Sequence, residues 1–535
     1  MSAAETVVSL QSRRRPGTGA QELFKEHASN ELVFAVVGHV GSGTSFIAEA
    51  LQNLLSSRKG YEVEMLKARE VIVDWARRSG KLTEEPKKTD LKHAINLQDW
   101  GDEMRSSDAT AVARSMVERI RLARARMQRI ENPGVGAVLP DGKPRAYIID
   151  AIRHPAEAHL LRSLYRNAFA LVGVVCQEDI RLERLQKTKF TDAGQVHIKK
   201  FMERDAKEKD PKKKKHGQRV SDAFHLADFF VDNSEERQLE DGGQLKDNPN
   251  WRVDEHLVRL VRIITQSSIE RPTSSETAMH AAYGAQMRSA CLSRQVGAAL
   301  IDATGNIVST GANEVPRAGG GVYAQDSDEI APSNDNRCAF RPEKYCSNTR
   351  EQADIIEKVL EVIHEEKPLS AAERDALKAK LRDNSPVGEL IEFSRAVHAE
   401  MDALLSAARQ GASPQGCRLF VTTYPCHYCA RHIVSAGVDE VQYIEPYPKS
   451  RALKLHGDSI SHRAHEKGKK IPFLPFTGVA PRLYWRAFLK DREFKSKDDG
   501  AMSIGEPDWG SAWDISKLSH AEMEAKLLEP GPSNV

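Results

Sequence analysis

The chain has no run of apolar residues near the roughly 18 that a membrane helix needs, so a membrane span is not expected. Its first twenty residues, MSAAETVVSLQSRRRPGTGA, lack the apolar centre of a secretion signal, and residues 1–30 read as a flexible tail. Cysteine is scarce: seven in 535 residues, an odd number that rules out a disulfide framework and points to a reducing cytoplasm. Aromatic residues make up only 6%, which leaves few platforms for stacking bases. Neither sign of charge dominates: 78 Lys and Arg face 76 Asp and Glu, a net charge of +2. That balance argues against a protein that coats nucleic acid by bulk charge. The balance is local in origin, however. Segment 195–219 holds ten basic and four acidic residues, so its +6 is set against −4 elsewhere.

At roughly 150 residues per domain, the length implies two to four domains, and 40% hydrophobic residues suffice for sizeable cores. ELVFAVV (31–37) is a short β-branched run and reads as a buried strand. GHVGSGTS and a helical pattern, FIAEALQNLL, follow it. Further strands are expected at AYIID (146–150), FALVGVVC (169–176) and ADFFVDN (227–233), with helical patterns between them. Strands alternating with helices predict a parallel α/β sheet over residues 31–234. Residues 235–270 begin polar and turn-rich and read as a linker. A second α/β domain is expected over 271–490. It runs from a helix at 274 through a strand–turn–strand at 295–313 and an insertion at 317–383. The core then resumes with a helix at HAEMDALLSAARQ, the strand CRLFVTTY, the helix CHYCARHIVSAG and the strand VDEVQYIEPY. Residues 491–535 read as a weakly patterned C-terminal extension, and no internal repeat is found.

The strongest chemical signal lies in the second domain. His398-Ala399-Glu400 opens one helix, and Pro425-Cys426-His427-Tyr428-Cys429 opens another 28 residues after His398. One imidazole and two thiolates are three of the four ligands of a tetrahedral zinc, leaving a position for water. Cys426 and Cys429 sit one helical turn apart, and a helix N-terminus favours the thiolate form. Glu400 is off the ligand face but near the metal, where a proton carrier is needed. H-x-E followed by P-C-x-x-C is the zinc deaminase signature. A structural zinc would need a fourth protein ligand, for which His427 or Cys417 could be nominated. Two buried helix cysteines with a capping histidine are the bland alternative.

Residues 278–447 resemble the cytidine and deoxycytidylate deaminases, through this motif and through VGAALID…GNIVSTGANEVP, which looks like that family's first hairpin. The resemblance implies that Asn313 contacts the sugar, that Thr423 and Tyr424 lie beside the base pocket, that Ala399 presents its backbone to the base amide, and that Tyr447 packs near the substrate. As alternatives, Asn313 is a turn residue and Tyr447 a core or surface residue. Cys338 and Cys346 lie in the insertion, where related enzymes can carry extra metal ligands; two free cysteines are the simpler reading.

In the first domain, Gly38, Gly41, Ser42, Gly43, Thr44 and Ser45 form a phosphate-loop pattern, with Ser45 at the magnesium-coordinating position. The usual lysine is replaced by Thr44, which puts phosphoryl transfer in doubt. Asp150 ends a strand where a second magnesium-organising acid would stand. RHP (153–155), RLER (181–184) and the basic segment resemble parts of P-loop nucleotide kinases. A Gly-rich turn without a ligand, and a solvated Lys212–Lys215 run, are the plain alternatives.

A kinase-like phosphate-loop domain fused to a deoxycytidylate deaminase domain resembles the bacterial anti-phage deoxycytidine-nucleotide deaminases. The resemblance implies an enzyme that hydrolyses dCTP and dCMP to dUTP and dUMP. It implies zinc as cofactor, with magnesium and a nucleoside triphosphate as further ligands of the first domain. Association into a homo-oligomer is also implied, as is restraint by an RNA or a nucleotide at the N-terminal domain, with the choice left open. Two other classes stay open: a deaminase that edits cytosine or adenosine in polynucleotides, and a non-enzymatic nucleotide sensor.

Overall fold

A computed structural model describes residues 29–82, 89–134, 136–208, 213, 215–241, 244–324, 335–447, 449–490, 495, 496, 498–502, 521, 522, 524 and 525. The N-terminal tail up to residue 28, part of the Lys212–Lys215 run and most of the extension after residue 490 lie outside the described residues. The chain divides into two compact units, one running to Arg271 and resuming at Thr477, the other spanning Pro272–Phe476. Both are mixed α/β. Among the described residues no helix is long and apolar enough to cross a membrane.

The first unit is built on strands β1 (Glu31–Val37), β2 (Glu62–Lys67), β3 (Arg145–Ile152), β4 (Phe169–Val175) and β5 (Phe229–Asp232). They lie in the order β5-β4-β1-β3-β2, all parallel. β1 is central, and all seven of its residues are buried. That is why it reads as a continuous apolar run: helices cover both faces of a parallel sheet, so no position is left for alternation. A small antiparallel hairpin, β6 (Gln238–Asp241) and β7 (Gln244–Asp247), follows.

The second unit holds β8 (Gly297–Ile301), β9 (Ile307–Ala312), β10 (Arg418–Thr423), β11 (Glu440–Glu445), β12 (Ile460–Ser461) and β13 (Ile471–Pro475). Their order is β12-β13-β11-β10-β8-β9. The expected hairpin joins β8 to β9, and Asp302 Oδ1 accepts the Thr304 and Asn306 amides at 2.9 Å in its turn. Gly297 pairs with Ala312, and the next pair is Ala298 with Gly311, so the two glycines point to opposite faces. A Cβ on Gly297 would overlap Ala282 in the helix Ser274–Gln286. One on Gly311 would overlap the Ala399 carbonyl and the Ala403 amide in the helix Ala399–Arg409. One helix therefore covers each face, the α/β/α layering expected from the sequence. The insertion contributes two further helices, Ser347–Glu366 and Ala371–Asn384, the second opened by a Ser370–Glu373 capping box.

Gly311 permits a backbone approach that holds the His398 helix against β9. Gly311→Ala is expected to destabilise the second unit by about 1–3 kcal/mol, because backbone cannot yield as a side chain can. Deaminase activity surviving a graded heat challenge would reveal this, and an inactivation temperature equal to the parent's would refute it.

Two expected boundaries are corrected by the structure. Residues 235–270 are not a linker: they form the β6–β7 hairpin and the helix Val253–Thr265, whose Leu257, Leu260, Val261 and Ile264 enter the core over β1, β4 and β5. The 253-257-260-261-264 spacing is helical, and the polar opening of the segment masks it. The second unit also ends earlier than 490. β14 (Gly478–Val479) pairs antiparallel with β5, and the helix Pro481–Phe488 places Leu483 in the first unit's core. Two residues of strand carry no periodicity, so nothing local announces this return.

Candidate active site

β10 ends at Thr423, and the chain passes through Tyr424 and Pro425 to Cys426, which starts the helix His427–Ser435. Ligand sites in α/β sheets lie beyond the carboxyl ends of strands in this way. Cys426 Sγ accepts the Cys429 backbone N–H at 3.4 Å, which turns both sulfurs to one side. His398 stands just before its own helix in extended conformation, and its ring makes no helix cap. Its Nδ1 lies 3.3 Å from Cys426 Sγ and 3.4 Å from Cys429 Sγ. Tetrahedral bond lengths to zinc put nitrogen and sulfur about 3.5 Å apart, so these three donors fit one ion. Among the described residues this trio is the one His, Cys and acid cluster that could hold a metal. All seven cysteines are free, and among the described residues Cys338 and Cys346 form no second cluster.

The electrostatics match. The Cys426 thiol is held down to about 4, because Cys429 donates to it and His398 stands beside it, with burial opposing. Cys429 is driven up by that same hydrogen bond and by burial. Burial works to lower His398, but its bond to Cys426 and the charge of Glu400 prevail and raise it to about 9. Glu400 is 4% exposed. Burial, then the charge on Cys426, pushes its carboxyl up to about 7, the range in which a group can both take and give a proton at neutral pH.

A cavity of about 530 Å³ opens over this centre. His398, Ala399, Glu400 and Cys426 line it, together with Asn313, Thr423, Tyr424 and Tyr447, so each residue expected to bind substrate reaches one space. Their bonds refine the picture. Asn313 spends its amide on its own chain, donating to Arg294 O at 2.7 Å and accepting from Val296 N at 2.6 Å. Its side chain thus braces loop 294–296 against the cavity. Thr423 Oγ1 donates to Glu445 at 3.1 Å, and Tyr424 OH meets His462 Nε2 at 3.0 Å. Arg294 lies over the Tyr447 ring and pairs with Glu445 at 3.3 Å.

Several cavity residues are ones that sequence reading missed: Arg294, Lys344, Arg395 and Lys449, with Cys338 and Cys346 among the remaining lining. The cations come from four separated segments, so no charge run marks them. In the other unit, the phosphate-loop residues also assemble: Gly41 and Gly43 adopt a φ of +85°, and Ser45 Oγ donates to Asp150 Oδ2 at 2.6 Å. Thr44 is buried in the first turn of its helix.

Residues 272–445 match the family profile described as the cytidine and deoxycytidylate deaminase zinc-binding region. The deoxycytidylate deaminase of Enterobacteria phage T4 is 30% identical over 177 residues, 33% of this chain and 80% of the phage protein. That of Enterobacteria phage T2 is 31% identical over 206 residues, 38% of this chain and 96% of the phage protein. A solved dCMP deaminase from cyanophage S-TIM5 aligns with 39% of this chain and 100% of its own, at 18% identity and a TM-score of 0.21. With four-fifths or more of two such proteins matched at 30% identity or better, and a trio that could hold a metal beside the end of β10, this chain belongs to the deoxycytidylate deaminase family.

Proposed function

We propose that the second unit performs zinc-dependent hydrolytic deamination of deoxycytidine nucleotides, dCMP and dCTP, yielding dUMP and dUTP. The carrying observation is the convergence of His398, Cys426 and Cys429 beside buried Glu400 at the base of a cavity edged by cations. The phage relatives support dCMP as substrate by name. Lys344 and Lys449 carry no ion pair among the described residues, which supports a substrate bearing phosphate. On this reading the physiological outcome is depletion of the deoxycytidine pool in anti-phage defence.

His398 Nδ1 and the sulfurs of Cys426 and Cys429 would hold the zinc. Bound there, zinc supplies a Lewis acid that brings the pKa of water to about 7. Glu400 takes a proton from the attacking water and delivers it to N3 of cytosine as the new C4–O bond forms. It then takes the proton of the new C4 hydroxyl and gives it to the amine; the C4=O bond forms as the C4–N bond breaks, and ammonia leaves. Thr423, Tyr424, the Ala399 backbone and Tyr447 wall the base and sugar, while Asn313 acts through the loop that carries Arg294.

Incubating the full chain with dCMP, dCTP, CTP, cytidine and a cytosine-bearing oligonucleotide tests this directly. Release of ammonia with dUMP and dUTP is expected. Turnover of the oligonucleotide alone would overturn the reading in favour of an editing enzyme. In cells, expression should lower dCTP, and a Glu400→Gln chain should not.

A further inference from the structure

Arg294 is fixed at both ends, by anchors from two different strands of the second unit. Its main chain is held by Asn313, just past the end of β9, whose Nδ2 donates to Arg294 O at 2.7 Å. Its guanidinium lies over the Tyr447 ring, 5.6 Å from the centroid, and Nη1 stands 3.3 Å from Glu445 Oε1. The other guanidinium nitrogens make no bond among the described residues, so they remain open to a ligand in the cavity that Arg294 lines. The other cations of the wall are placed differently. Arg337 is closed on Asp335, with Nε 3.0 Å from both carboxylate oxygens. Arg395 donates to a neutral carbonyl, Asn336 O, at 2.6 Å. Lys344 and Lys449 are exposed and unanchored.

Glu445 ends β11 where Thr423 ends β10, and the two are paired in register. Each of its acceptors serves a residue of the cavity wall. Oε2 accepts the Thr423 hydroxyl at 3.1 Å, Oε1 faces Arg294, and the carbonyl accepts the Tyr424 amide at 2.8 Å. Yet Glu445 itself does not line the cavity. Both side-chain partners are donors, so the position needs an acceptor at each side-chain terminus. An ionised carboxylate provides two and an amide only one. An untethered arginine samples many rotamers, and ordering it when a ligand arrives opposes binding. A guanidinium already held in place avoids that cost.

We propose that Glu445 is a positioning residue that aims Arg294 at the phosphate of the bound nucleotide, so that the pair sets the preference for a deoxycytidine nucleotide over the nucleoside. This rests on the deaminase reading of the same cavity. The sign of the effect is diagnostic, because Glu445 is an anion near a site for an anion. A carboxylate that merely neutralised Arg294 would weaken phosphate binding, and its removal would strengthen it. A carboxylate that aims Arg294 has the opposite effect. In a cavity open to water the longer-range repulsion is screened, whereas the ordering is not, so aiming prevails.

Calorimetric titration of dCMP and of deoxycytidine into the zinc-loaded full chain carrying Glu400→Gln, where the ligand outlasts the measurement, tests this. Glu445→Gln in that background keeps one oxygen for Thr423 and releases Arg294. It is expected to weaken dCMP by about fivefold or more, the cost of ordering a freed arginine, and to change deoxycytidine by less than about twofold. Arg294→Met should weaken dCMP by about tenfold, the loss of one charged contact. Adding Glu445→Gln to Arg294→Met should cause no further loss, since the two act as one unit. A purely structural role would weaken both ligands alike. Equal or tighter binding of dCMP by the Glu445→Gln chain, or an equal loss for both ligands, would overturn the proposal. The titration reads binding alone, so a parent chain that binds dCMP without turning it over would overturn the deaminase reading and leave this result standing. A Glu400→Gln chain that binds no dCMP would overturn both.

Discussion

Glu400→Gln lowers the deamination rate by about 10³-fold or more and leaves zinc content unchanged. A positioned acid–base group contributes roughly 10²–10⁴-fold, and this one is asked to move more than one proton per turnover. Glutamine matches glutamate in size and suits the buried position, so the helix start and the three metal ligands keep their places. What is lost is a carboxyl raised to about 7 by burial and by the charge on Cys426. Zinc by emission spectroscopy and ammonia release on the same sample separate the two effects. Parental ammonia release would remove Glu400 from the mechanism, and loss of zinc would make it a structural residue.

Arg124→Met destabilises the first unit by about 3–5 kcal/mol, the cost of stranding a buried charge. Arg124 is 0% exposed and meets two carboxylates. It contacts Glu31 at 2.8 and 3.0 Å, Glu524 at 2.6 and 3.1 Å, and Val138 O at 3.1 Å. Tyr147 and Tyr165 donate their hydroxyls to the same two glutamates. Without the guanidinium, both carboxylates stay buried with too little positive charge to balance them. Tryptophan fluorescence is a selective probe, since none of the six tryptophans lies between residues 272 and 476. A urea midpoint equal to the parent's would show that the charge cluster contributes nothing.

The parts legible in sequence share one property: their signal is local. β1 is found at 31–37 as expected, and FALVGVVC became β4, because a buried parallel strand must be apolar along its length. The candidate metal centre was legible because each half of it is a helix start, and the pattern of a helix start lies within four residues. β2 was missed, since EVEMLK at the edge of the sheet is half polar and looks like loop. The helix Val253–Thr265 was within reach, its periodicity being clear once the polar residues before it are set aside.

By itself, the sequence determined that His398, Glu400, Cys426 and Cys429 stand at two helix starts in the zinc deaminase pattern and that Gly38–Ser45 carry a phosphate-loop pattern. In both cases short-range geometry dictates residue type. Only the tertiary structure decided which cations face the first of these. Arg294, Lys344, Arg395 and Lys449 reach one cavity from segments up to 155 residues apart. Arg124 and Glu524, 400 residues apart, meet only in the folded core. A charge carries no mark of its partner, because Coulomb attraction depends on distance in space, and only the packing of the chain sets that distance.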